Sequence, residues 1–141
     1  MTRARIMIVE DEYLVAADLE AALEERGYSS VGIAPDADEA FRLASHKPDV
    51  ALVDIHLRDG QTGTQIAERL VRDHGIAVLF VTANPRMTWA ANMLGVIGVV
   101  SKPCQEDVVA SAINYALEAR SGASLPAPPV GLTLLPVAPG L

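Results

Sequence analysis

Short apolar runs rich in β-branched residues alternate along this chain with stretches of helical periodicity. The runs fall at Arg5–Val9, Ser30–Ala34, Val50–Val53, Ile76–Val81 and Val96–Val100, and each predicts a strand. Between the first two, Tyr13–Arg26 places Val15, Leu19, Ala22 and Leu23 on one helical face, with Gly27 as a stop. A second helix is predicted over Asp36–His46. It opens with Asp36 and Glu39 at capping-box spacing and closes before Pro48. Thr64–Asp73 groups Ile66, Ala67, Leu70 and Val71, and Glu106–Arg120 groups Val109, Ala112, Ile113, Ala116 and Leu117. A fifth, more weakly patterned helix is expected over Pro85–Leu94.

Strands alternating with helices predict a parallel sheet covered on both faces. Continuously apolar strands fit that arrangement, because neither face of such a sheet meets water. The expectation is a doubly wound, flavodoxin-like (βα)5 domain over residues 1–120, with five parallel strands in the order 2-1-3-4-5. The remaining 21 residues, 121–141, carry no charge and hold five of the nine prolines and three of the ten glycines. That composition cannot sustain a helix or an interior strand, so the segment is read as a tail outside the domain. Its Leu132, Leu134, Leu135 and Val137 are unusual for a spacer and raise the alternative that it docks on its own domain or on a partner.

Composition narrows the choice of partner. With 18 acidic and 11 basic residues the net charge is -7, which argues against nucleic acid bound by charge neutralisation. Aromatic residues make up 4%, so the core must be aliphatic. The single cysteine, Cys104, excludes a disulfide framework and a multi-cysteine zinc site within one chain. No apolar stretch approaches the ~20 residues of a membrane span, and none at the start suits a signal peptide. A cytoplasmic protein that does not enter the membrane is expected.

In this architecture ligands bind beyond the carboxyl ends of the strands. Glu10 and Asp11 follow the first strand, Asp54 ends the third, Thr82 ends the fourth, and Ser101, Lys102 and Pro103 follow the fifth. The second strand ends in Ala34-Pro35, with nothing reactive. The order 2-1-3-4-5 gathers the four reactive ends in one crevice. Carboxylates brought within a few ångströms repel by roughly 4 kcal/mol per close pair at an effective dielectric near 20. Either some protonate or a cation joins them, and an all-oxygen site suits Mg²⁺. A carboxylate nucleophile, a Mg²⁺, a lysine and a hydroxyl are the parts that phosphoryl transfer to aspartate requires.

The set Ile8–Glu12, Val53–Leu57, Val81–Ala83 and Ser101–Pro103 resembles the receiver domain of two-component response regulators over about 120 residues. The resemblance implies a single-domain response regulator with Asp54 as phosphoacceptor. It implies that Asp11, Asp54 and the backbone carbonyl of His56 bind Mg²⁺, with Glu10 acting through a water. Thr82 and Lys102 would hold the phosphoryl oxygens, and Ala83 would leave space for them. The phosphodonor would be a histidine kinase or a small acyl phosphate, and the only reactions catalysed would be the chain's own phosphorylation and dephosphorylation. His56 and Asn84 would flank the path of the hydrolytic water and tune the lifetime. Output would pass to a downstream protein through the face built from the fourth helix, fifth strand and fifth helix, or the phosphoryl group would be relayed onward; a monomer or weak homodimer is expected. Val99 stands where the family usually places a switching Tyr or Phe, and Cys104 where an aromatic is common. Thr82–Pro85 and the glycine-rich approach to Lys102 resemble stand-alone receivers paired with HWE-type histidine kinases.

Three other functions compete with this reading. An aspartate-nucleophile phosphatase of the dehalogenase type needs a second Asp where His56 stands. A nucleotide binder needs a phosphate loop where Glu10-Asp11-Glu12 would repel the phosphate. A degenerate receiver, acting as a phosphorylation-independent interaction module, has Val99 in its favour and intact Asp54, Thr82 and Lys102 against it.

Overall fold

The computed structural model describes residues 3–57, 63–83, 96–122 and 127–135. Six strands form one sheet: β1 (Arg5–Val9), β2 (Ser29–Ala34), β3 (Val50–Val53), β4 (Ala77–Thr82), β5 (Val96–Ser101) and β6 (Leu132–Leu134). Their order is β2-β1-β3-β4-β5-β6. The first five run parallel in the expected order. Among the described residues four helices lie between them: α1 (Tyr13–Glu25), α2 (Ala37–Ala44), α3 (Gly63–His74) and α4 (Glu106–Arg120). The helix expected over Pro85–Leu94 falls outside the described residues.

Alternation along the strands divides the core into two layers. Ile6, Ile8, Leu52, Leu79, Val81 and Val100 join Ala16 and Leu23 of α1 and Val109 and Ile113 of α4. Met7, Val9, Val53, Val78, Phe80 and Val99 join Leu43 of α2 and Ile66 and Leu70 of α3. This explains why the central strands read as unbroken apolar runs. Both faces are packed, and β3 and β4 are buried at every position.

Two local expectations are refined. Asp36 does cap α2, its Oδ1 accepting from the Glu39 N–H at 3.0 Å. Glu39 does not complete the reciprocal box, because its carboxylate is taken by Arg42 at 2.7 and 2.8 Å. The second refinement is β6. The segment read as lying outside the domain supplies an antiparallel strand that pairs Leu132, Thr133 and Leu134 with Val100, Val99 and Gly98. Leu132 is buried, and Leu135 packs against the layer containing Val99. The docking alternative therefore describes these residues.

Candidate functional site

The sheet positions the reactive residues by carrying its backbone ladder one residue past each strand. The Glu10 N–H donates to Ala34 O at 2.9 Å, the Asp54 N–H to Val9 O at 3.0 Å, and the Lys102 N–H to Thr82 O at 2.9 Å. Each side chain is thus fixed to a neighbouring strand rather than left on a loose loop. The start of α3 presses close behind Asp54. A Cβ on Gly63 would lie 2.1 Å from Asp54 O and 2.5 Å from Ile55 Cα, so only glycine fits there. Gly63 went unremarked in the sequence because its requirement comes from a tertiary contact and not from a turn signal.

At the centre stands Lys102. Its Nζ donates to Glu10 Oε1 at 2.7 Å and to Asp54 Oδ2 at 3.0 Å. The three side chains are 24%, 6% and 13% exposed, so this is a sheltered triad and not a surface ion pair. Asp54 Oδ1 also accepts from the His56 N–H at 3.3 Å.

The two carboxylates are pushed apart in acidity. Burial, then the hydrogen bond to Asp54, raise Glu10 to about 7 against the opposing pull of Lys102. Burial also works to raise Asp54, but its hydrogen bonds to Glu10, Lys102 and the His56 N–H outweigh it and hold it below the usual carboxylate range. Burial tends to lower Lys102, yet its two carboxylate partners win and its pKa is raised. Both forms of relief expected from crowded carboxylates therefore operate. One carboxyl tends toward the neutral form, and a cation bridges the pair.

The other residues take more varied places. Thr82 is fully buried at the end of β4. Asp11 is half-buried and joins Glu10 in lining a depression of about 430 Å³ that also reaches Tyr13, Glu20 and Pro35. Ala83 is exposed and lines, with Lys102, Pro103, Cys104, Val15 and Leu19, a groove of about 460 Å³ between α1 and the β5–α4 turn. The Lys102–Pro103 peptide bond in that turn is cis. Cys104 is half-buried, and burial raises its thiol. Val99 does not reach the triad; it faces the α2 and α3 layer. Asn84 lies outside the described residues.

The donor set suits a hard divalent cation. It is all oxygen, and Glu10 Oε2 is buried without a hydrogen-bond partner among the described residues, as is His56 Nε2. With Lys102 bridging Glu10 and Asp54, however, no three acidic, histidine or cysteine side chains among the described residues converge as a ready-made cage.

A sheltered Asp–Lys–Glu triad at the carboxyl ends of a 2-1-3-4-5 parallel sheet is what a receiver fold places there. The model of the response regulator receiver domain matches residues 6–114, and the chain belongs to this family. It is similar to the phyllosphere-induced regulator PhyR of Methylorubrum extorquens, with 35% identity over 114 residues, 79% of this chain and 43% of that protein. It is also similar to the transcriptional regulatory protein PdtaR of Mycobacterium tuberculosis, with 34% identity over 117 residues, 80% of this chain and 56% of that protein. The chain thus spans about half the length of these relatives. Among solved structures, the response regulator PhyR of Brucella abortus superposes with a TM-score of 0.76 at 35% identity, over 86% of this chain and 50% of that one. No helix among the described residues is long and apolar enough to cross a membrane.

Proposed function

We propose that this receiver accepts a phosphoryl group on Asp54 from the phosphohistidine of a histidine kinase, or from a small acyl phosphate, and signals by changing its protein contacts. The observation that carries the reading is Lys102, whose Nζ holds Asp54 and Glu10 together at the mouth of the site. The depressed Asp54 pKa keeps its carboxylate ionised and nucleophilic at neutral pH. In the transfer an Asp54 oxygen forms a bond to phosphorus, the phosphorus–nitrogen bond to the donor imidazole breaks, and the imidazole keeps that electron pair. Lys102 supplies a positive charge for the incoming oxygens, and Thr82, whose backbone carbonyl accepts from the Lys102 N–H, would add its hydroxyl. Ala83, a methyl side chain, leaves room beside them.

Asp11, Asp54 and the carbonyl of His56 would hold Mg²⁺, with Glu10 reaching it through a water. The ion would neutralise charge between the acidic pocket and the phosphoryl oxygens. His56 and Asn84 would tune the lifetime of the phosphorylated state. The chain's catalysis would be confined to gaining and losing its own phosphoryl group. The -7 net charge supports a protein partner over nucleic acid, and HWE-type kinases are the donors to try first.

The test is intact mass after incubation with a small acyl phosphate, with and without Mg²⁺. One Mg²⁺-dependent adduct, absent in Asp54→Asn, is expected. An adduct that persists in Asp54→Asn would sink the assignment of the acceptor. No adduct from either acyl phosphate or a kinase would return the chain to the interaction-module reading.

A further inference from the structure

The tail strand β6 pairs with β5, whose pairing residues Gly98, Val99 and Val100 are all apolar and buried, and its backbone lies directly against Gly98. A Cβ on Gly98 would lie 2.5 Å from Thr133 O and 3.0 Å from Leu132 Cδ1, and its three nearest atoms all belong to the tail. Gly98 follows Ile97, where the pairing with β4 slips, and the tail backbone lies against it; both features suit a glycine, which inside a strand costs about 0.5–1 kcal/mol relative to alanine. Leu132 fills the layer shared by Val100 and Val109, while Val130 just before it is 94% exposed. The tail holds on by a single short strand, with one anchoring leucine and one further contact from Leu135, whose N–H reaches Ile97 O at 3.4 Å. Such an element is well placed to leave and be replaced.

β5 is also the strand that ends at the site. Its pairing residues Gly98, Val99 and Val100 lie immediately before Ser101 and Lys102. Anything that draws Lys102 away from Glu10 and Asp54 pulls on the strand that β6 clasps.

We propose that the β5 edge is a strand-addition surface for an extended, uncharged, apolar segment of a partner protein. The chain's own residues 127–135 hold it closed, and phosphorylation of Asp54 opens it. The partner chemistry is that of the resident. It has no charged side chain, a buried aliphatic residue in the place of Leu132, and a backbone that lies directly against Gly98. The gating half rests on Asp54 being the phosphoacceptor; the surface itself does not.

The test uses the full chain and a fluorescein-labelled peptide of residues 127–135, titrated by anisotropy. Leu132→Asp places a carboxylate in an apolar layer, which detaches the tail and leaves β5 intact. The peptide is expected to bind this variant at least tenfold more tightly than wild type, and to lose that gain in Leu132→Asp combined with Gly98→Ala. Equal binding to the single and double variants, or no gain over wild type, overturns the surface. Should Leu132→Asp fail to fold by circular dichroism, Gly131→Val replaces it, since a Cβ there would lie 2.5 Å from Val108 Cγ1. Wild type carrying an adduct counted by intact mass is then titrated. At least tenfold tighter peptide binding supports the gate. An adduct with unchanged binding overturns the gate and leaves the acceptor assignment standing. The absence of an adduct from both acyl phosphate and a kinase overturns the acceptor assignment and the gate together, while the variants still decide the surface.

Discussion

The two edges of the sheet solve the same problem in opposite ways. An edge strand offers unpaired backbone groups to any other chain. β2 is unattractive as a template in itself. It is half-buried along most of its length, carries Ser29 and Ser30, and is followed by Pro35. Its register slips between Ile6 and Met7, so that Val31 bulges out of the pairing with β1. β5 carries a slip of its own, Ile97 standing out of the pairing with β4, but it has no such polar dressing. Only Ile97 and Ser101 escape burial, and the chain covers the edge with its own tail. The first edge is closed by composition and is chemically idle, ending at Ala34-Pro35. The second is closed by a removable part and ends at Lys102. Protection by a cover can be regulated, whereas protection by composition cannot.

The largest effect that sharpens this contrast is a charge placed in each edge. Val100 is 1% exposed between β4 and β6, and Val100→Asp is expected to cost on the order of 4 kcal/mol or more, enough to unfold much of the population. At the half-buried Val31 the same change is expected to cost no more than about 2 kcal/mol, because the carboxylate can reach water. Urea denaturation of the two variants reads the difference. Equal losses would mean that β5 is no better covered than β2.

Next in size is Leu132→Ala. Removing this buried side chain is expected to weaken tail docking by about 2 kcal/mol, the low end for a leucine truncation because a terminal strand can detach without unfolding the domain. Amide exchange across residues 132–135 then speeds roughly 30-fold, at 1.4 kcal/mol per decade, while β1, β3 and β4 keep their protection. The uncovered edge should also self-associate, which sedimentation reads as a concentration-dependent mass. Exchange that accelerates across the whole sheet would instead make β6 part of the folding core.

These cases show where the sequence was legible. The central strands were readable because burial on both faces leaves an unbroken apolar run. Glu10, Asp54 and Lys102 were readable because each stands one or two residues past such a run. β6 was not, since three residues between prolines and glycines have no periodicity to detect, and their strand exists only because β5 offers an edge. Gly63 was opaque for a related reason, being fixed by its approach to the Asp54 backbone. The role of Lys102 between Glu10 and Asp54 was half visible: the crowding demanded a positive charge, and the geometry shows the lysine bridging both carboxylates.

Tyr28 ties the two sides together. It precedes β2, yet its hydroxyl donates to Ala110 O at 3.3 Å and to Asn114 Oδ1 on α4, the helix that covers β5. Tyr28→Phe should cost about 1 kcal/mol. Burial raises the pKa of the Tyr28 hydroxyl above its ordinary value of 10. A raised pKa means that the folded state favours the neutral form. Its contribution is therefore complete below pH 10 and is lost as pH rises through the folded value. Urea midpoints from pH 8 to 11 should fall more steeply for wild type than for Tyr28→Phe. Parallel curves would place the hydroxyl in water.

The smallest effect belongs to the idle edge. Ser30 Oγ donates to Glu20 Oε2 of α1 at 2.6 Å and accepts from the Gly32 N–H at 3.1 Å, holding the bulge in shape. Ser30→Ala removes both bonds, but Ser30 and Gly32 are half-buried and water can replace the lost partners, so about 0.5 kcal/mol is expected. What matters more is what should not change. A self-protected edge needs no single contact, so Ser30→Ala should sediment as wild type does, unlike Leu132→Ala. If it associates as strongly, β2 is guarded by this one hydroxyl and not by its composition, and the two edges differ less than their burial implies.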